Sequence, residues 1–338
     1  MSAVSVNPAT RDRRLPRFAW FVVFYNVLVI LWGALVRASG SGAGCGNHWP
    51  LCNGQVIPVS PGFHTIIEFT HRQMTVGATL VVIALLVWTF RATVKGHAAR
   101  GFAIASMLLL LNEALLGALL VKLGYVTGNQ SSGRMVLLSI HLSNTLLLVA
   151  ALTLTARFLS MDRRWAGLEH ASGFGWAVAG LAATIGVGVS GSMAALGDTL
   201  FPVTSLQAAY AQDFSPGSSW LLRLRLVHPI SALIAALFVI WLVGRSRRDD
   251  PPETSAPARS SVRARLATVV LGLLALQFSL GIADVLLLAP AWMQLLHLLG
   301  ADLYWVALVM LAADTIWPAP KPAVPGMATP SPVTTTAA

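Results

Sequence analysis

Long apolar runs separated by short polar stretches dominate this chain. Eight of them reach the length of about 20 residues that an α-helix needs to cross a hydrocarbon core: Phe18–Ala38, Ile66–Phe90, Gly101–Val121, Val136–Leu159, Gly173–Leu196, Leu224–Gly244, Leu266–Leu288 and Met293–Ile316. The pattern predicts an all-α integral membrane protein with eight transmembrane helices. Composition agrees, because 338 residues that are 56% hydrophobic and 11% charged, with a mean hydropathy of +0.70, exclude an ordinary soluble protein. The first run follows Arg11, Arg13, Arg14 and Arg17 but carries Arg37 near its far end and no small-residue cleavage site. It reads as a retained helix rather than a secretory signal.

Charge then orients the spans. With the N-terminus inside, 17 of the 23 Lys and Arg residues fall in inner segments, which predicts cytoplasmic N- and C-termini. Arg37, Arg72, Lys122, Arg134, Arg223 and Arg225 remain on or near the outer side. Basic inner loops facing an anionic leaflet account for the net charge of +10, so no nucleic-acid partner is needed.

Four histidines reveal a repeat. His71 and His141 are 70 residues apart, His228 and His297 are 69 apart, and the two pairs are offset by 157 and 156. The repeating unit is four helices long, giving two pseudo-symmetric four-helix bundles over 18–159 and 173–316, with both copies in the same topology. Echoes occur at Ser39-Gly40-Ser41 against Ser190-Gly191-Ser192, and at Leu116-Gly117 against Leu280-Gly281. Arg163 and Arg164 lie in the connection, Asp249 to Ser261 forms a polar inner loop, and the Pro-, Ala- and Thr-rich tail 318–338 is expected to be disordered.

Each of the four histidines stands about five or six residues into an even-numbered span, so all four lie at one depth, one to two turns below the outer surface. Polar side chains in a bilayer usually face a bundle interior. Two imidazoles from facing helices can supply both axial bonds to a heme iron. His48, His64, His97 and His170 fall in loops and read as solvated.

The copies differ beside these histidines. Glu68 precedes His71 by three residues, on the same helix face, whereas Arg225 precedes His228; Arg72 follows His71, whereas Pro229 follows His228. A carboxylate close to a porphyrin offers proton transfer or stabilisation of a developing cation, which makes the first half the candidate reaction site. An ion pair of Glu68 with Arg72 is the structural alternative. Arg37, Arg72 and Arg225 are candidate partners for heme propionates. Glu113, Asp284 and Asp302, with Asn112, Gln277 and Ser143, read as polar glue between helices. Cys45 and Cys52, in Cys45-Gly-Asn-His-Trp-Pro-Leu-Cys52 of the first outer loop, suit a disulfide, with a metal pair or redox dithiol as alternatives.

Together, the Cys45-x6-Cys52 loop with Trp49-Pro50-Leu51, the Glu68-Phe69-Thr70-His71-Arg72 run and the later His141, His228 and His297 resemble the heme A synthase family, from Trp32 to about Trp305. The resemblance implies oxidation of a heme O methyl to the formyl of heme A, in a bacterial cell membrane. It implies a resident heme b on His228 and His297, substrate heme O flanked by His71 and His141, Glu68 as the essential carboxylate, and a Cys45–Cys52 disulfide. It also implies an external electron donor, contact with heme O synthase, cytochrome c oxidase assembly factors and membrane lipid, and a homo-oligomer as one form. Glu113, where relatives often have glutamine, and Pro229 depart from the family pattern. The rival reading is a diheme b-type electron-transfer subunit exchanging electrons with quinone, which has no need of Glu68 or the cysteine loop. A solute transporter would instead show broken helices near the midplane.

Overall fold

The computed structural model describes residues 13–161, 173–248 and 257–317. It contains α1 (Arg14–Ala38), α2 (Phe63–Ala92), α3 (Ala98–Lys122), α4 (Ser132–Met161), α5 (Phe174–Leu200), α6 (Leu206–Phe214), α7 (Trp220–Arg223), α8 (Val227–Arg248), α9 (Pro257–Leu286) and α10 (Ala291–Ile316). Eight spans are long and apolar enough to cross a membrane, α7 and α8 forming one of them. Most helices overrun their apolar runs by about a turn, because the flanking polar residues continue the hydrogen-bond ladder. Val76, Leu80, Ile83 and Val87, at spacings of three and four on α2, are exposed and form a face for lipid rather than a misplaced core.

In each half the helices close a ring. α1 packs on α2, α2 on α3, α3 on α4 and α4 on α1; in the same order α5 packs on α8, α8 on α9, α9 on α10 and α10 on α5. The helices that bear histidines, α2 with α4 and α8 with α10, therefore stand on the diagonals. The halves meet where α4 packs on α5 and α10, and α1 on α10.

Packing is densest away from the histidines. Leu15, Val22, Val82, Leu85, Leu152 and Phe158 form one buried cluster. Val239, Val270, Trp305 and Val309 form another, which takes in Leu146 and Val149 of α4. Three contacts pin the seam between the halves. Arg157 donates to both oxygens of Asp314 at 2.8 Å, Trp305 Nε1 donates to Leu146 O at 2.8 Å, and Arg37 crosses at the histidine end.

Several expectations need correction. The sixth span enters through α7 and a single 3-10 turn at Leu224–Leu226 before α8. Pro229 has no N–H to give Arg225 O, four residues back, and its ring crowds that carbonyl, so the winding tightens there. This irregularity lies at the end of a span, not at the midplane. The predicted loop 249–261 is helical from Pro257, a residue suited to a helix's first position; 249–256 lie outside the described residues, as do Arg163, Arg164, His170 and the tail. The helix α6, N-capped by Ser205 Oγ accepting from Ala208 N at 3.1 Å, was not anticipated.

Candidate functional site

In the first half, the site is built on the opening turns of α2. His71 lies against Gly33 of α1, where a Cβ would come within 3.0 Å of the ring's Cε1. Trp32 Nε1 donates to Ile67 O at 3.0 Å and fixes α1 beside α2 at this level. One turn before His71, Glu68 is 4% exposed and fully engaged: Oε2 accepts from Cys45 N at 2.8 Å and Oε1 from Arg72 Nη2 at 2.6 Å. Arg72 also donates to His48 O and Leu51 O at 2.7 and 2.6 Å. Glu68 and Arg72 thus draw the loop after α1 down onto α2.

That loop is closed by the disulfide Cys45–Cys52, whose cysteines are both buried. Cys52 pairs back to Gln55 as an isolated bridge, and Thr65 Oγ1 donates to Gly44 O at 2.8 Å. The approach at Gly44 is close enough that a Cβ would fall 2.8 Å from Thr65 N, so only glycine fits.

On the other diagonal, His141 of α4 lies within electrostatic reach of His71. Its Nδ1 is 3.2 Å from Glu113 Oε1 of α3, off the line of a hydrogen bond. Glu113 is therefore more than the generic interhelical glue expected of it. Gly117, part of the Leu-Gly echo, faces open space.

The second half repeats the scaffold. His228 lies against Gly191 of α5, where a Cβ would be 2.9 Å from the ring, and His297 against Gly281 of α9, at 3.3 Å. Their ring centroids are 6.4 Å apart with planes at 80°. His228 Nδ1 is 3.2 Å from Ser190 Oγ, which in turn meets Ser231 Oγ at 2.8 Å; His297 Nδ1 is buried without a partner. These glycines correct the expected register. Gly33 corresponds to Gly191, an offset of 158 close to that of the histidines, whereas Gly40 and Gly191 are 151 apart.

The three arginines all have protein partners. Arg37 donates to Ala195 O at 2.7 Å, Thr199 Oγ1 at 3.0 Å and Gln294 Oε1 at 3.0 Å. Arg225 donates to Gly197 O and Phe201 O at 2.7 and 2.9 Å, and approaches Asp198 and Asp213. Burial raises the Asp213 carboxyl above the usual range, against the opposing pull of Arg225. Two minor histidines also differ from expectation. His97 is buried and caps α3 by accepting from Ala99 N at 3.2 Å, and His64 lies in α2, its Nδ1 3.0 Å from Ser41 Oγ. Asp302 is 2% exposed and its Oδ2 has no partner, and Asp284 Oδ1 is likewise buried and unpartnered.

The class defined by these features is a multi-pass helical membrane protein with a histidine pair at one end of each of two four-helix halves. The chain matches the profile of the COX15-CtaA family, described as cytochrome oxidase assembly protein, over residues 16–309, and belongs to that family. It is 43% identical over 310 residues to a Thermus thermophilus protein named protoheme IX farnesyltransferase, covering 90% of this chain and 48% of that one. It is 35% identical over 152 residues to heme A synthase of Exiguobacterium sibiricum, 45% of this chain and 48% of that one. With heme A synthase of Alkalihalophilus pseudofirmus it shares 34% over 160 residues, 47% and 49% of the two chains. The chain spans about half the length of the curated relatives it matches.

Proposed function

We propose that this chain is a heme A synthase, oxidising a heme O methyl stepwise to the formyl group of heme A. The observation that carries this reading is an asymmetry. Both halves hold a histidine pair, but only the first sets a buried carboxylate one turn from its histidine, under a disulfide-closed loop.

The donor set suits heme. Among the described residues no three His, Cys, Asp or Glu side chains gather as a site for a bare ion. A bare ion such as zinc asks for three or four protein ligands, whereas a heme iron asks the protein only for axial ones. The 6.4 Å between the His228 and His297 centroids leaves room for one iron bonded to both rings at about the 2 Å known for zinc and imidazole. The glycines beside three of the four histidines keep the rings unobstructed.

In this reading His228 and His297 hold a resident heme b, and His71 and His141 flank heme O. Bound heme b supplies one-electron transfer. Glu68 keeps a carboxylate beside the substrate, to stabilise a developing cation or to accept a proton at Oε1 or Oε2. Arg72 and the disulfide loop orient that carboxylate and keep water from it. Arg37, Arg72 and Arg225 set positive charge at the level where propionates would lie. The protein sits in a bacterial plasma membrane with both termini cytoplasmic and the histidine end outside, in keeping with its Lys and Arg distribution. The name of the Thermus relative, a heme farnesyltransferase, supports heme O synthase as the supplier of substrate.

The 2.6 Å ion pair to Arg72 favours a second reading of Glu68, as an anchor for the loop. Chromatography of hemes extracted from cells that make heme O and this chain tests the function. A formyl heme is expected. Unchanged heme O, beside an intact two-heme spectrum, would point instead to the diheme electron carrier.

A further inference from the structure

Three residues that differ between the halves converge on His141. Glu113 occupies the position of Gln277, each four residues before the glycine of its Leu-Gly step. Asn144 and Thr145, three and four residues after His141, correspond to Gly300 and Ala301 after His297. In the first half Asn144 Nδ2 and Thr145 Oγ1 donate to the two oxygens of Glu113. Asn144 is itself held by Asn112 Nδ2, which donates to its Oδ1 at 2.8 Å, while its Nδ2 also reaches Leu109 O at 2.9 Å. This cradle fixes Glu113 Oε1 3.2 Å from His141 Nδ1, a buried nitrogen with no hydrogen-bond partner. The terminal torsion of a histidine is soft, so a small turn of the ring closes the bond.

The second half has no such cradle. Gln277 Nε2 fills the space beside Gly300 without a partner, His297 Nδ1 is unpartnered, and His228 Nδ1 has a neutral hydroxyl. Of the four imidazoles, His141 is the one with a carboxylate at Nδ1.

We infer that Glu113 is a positioning residue that accepts from His141 Nδ1–H, turns Nε2 toward the bundle interior and makes it a stronger donor to the iron of a heme bound there. The inference rests on the reading of His71 and His141 as a heme site. A carboxylate behind a ligating histidine fixes its tautomer and raises its basicity, and losing one typically weakens metal binding roughly 10–100-fold. A stronger donor also favours ferric over ferrous iron, so Glu113 holds the first site at a lower potential than a glutamine would.

The test uses the purified full chain loaded with iron protoporphyrin IX, with redox titrations and binding curves followed by absorbance. His71→Ala and His228→Ala assign one component to each half. Glu113→Gln is expected to raise the midpoint of the first-half component and weaken binding there about 10–100-fold, leaving the second-half component unmoved. Gln277→Glu, the mirror change, is expected to lower the second-half midpoint. A tenfold change in ferric preference corresponds to about 59 mV for one electron. Unchanged midpoints in both variants overturn the inference, and if Glu113→Gln does not fold, an unmoved midpoint in Gln277→Glu overturns it alone. If His71→Ala removes no heme component, the two-site reading falls, and this inference with it.

Discussion

Position 68 in the first half and position 225 in the second are equivalent, three residues before a histidine, and both tie down the segment that follows the first helix of their half. Glu68 accepts from Cys45 N in the loop after α1, whereas Arg225 donates to Gly197 O and Phe201 O at the end of α5. The two residues perform the same anchoring with opposite charge. An acid is therefore not what the scaffold requires there, and its presence in one half alone points to chemistry rather than architecture.

The comparison breaks most severely at the ligands. Replacing His228 or His297 with Ala should abolish the second-half b-type spectrum and leave first-half binding of added heme, while His71→Ala or His141→Ala should do the reverse; optical spectra of the purified variants decide. A spectrum unchanged in all four would remove the heme assignment altogether.

Next in size is Glu68→Gln, which keeps the shape and one hydrogen bond but removes the charge. Loss of a general base or charge stabiliser of this kind costs about 10²–10⁴-fold in rate. Extracted heme should shift from heme A to heme O or a hydroxymethyl intermediate, with the resident heme intact. Normal heme A production would reduce Glu68 to the loop anchor that Arg225 is in the other half.

A smaller effect is expected at the cysteines. Closing an eight-residue ring restricts the unfolded loop by roughly 2–3 kcal/mol, so Cys45→Ser with Cys52→Ser should expose the 45–60 loop to protease without unfolding either bundle. Protection equal to that of the unaltered protein in limited proteolysis would show that Glu68 and Arg72 hold the loop unaided.

The smallest changes concern the glycines. Gly191→Ala sets a Cβ 2.9 Å from the His228 ring and should cost about 1–3 kcal/mol by overpacking, read as a lower melting temperature of the heme band. Gly117→Ala meets open space and should be neutral or gain up to about 1 kcal/mol from helix propensity. Equal melting shifts in the two would refute the view that glycine seats shape these sites.

The eight spans and the histidine register were legible because both are one-dimensional: an apolar run and a spacing. The glycine seats were half visible. Gly191 stood in the sequence echo, but matched to Gly40 rather than Gly33, because small-residue motifs recur at several registers and only contact with an imidazole selects one. The Glu113 cradle was hidden more completely. Asn144 and Thr145 lie 31 and 32 residues from Glu113 on another helix, and no periodicity along either helix reports a meeting across two. His97 looked like a loop residue because capping buries a polar side chain that composition alone leaves in water.

Arg37 has a consequence for how the two copies fit together. In the register set by Gly33 and Gly191 its counterpart is Ala195, and Arg37 Nη1 donates to the carbonyl of Ala195 itself. A residue that touches its own equivalent sits on the pseudo-twofold axis, where a truly symmetric pair would bring two guanidinium groups face to face. Arginine on one side and alanine on the other turn that clash into a key and its slot. Two first halves could not dock as a first and a second half do, so the seam enforces non-identical partners.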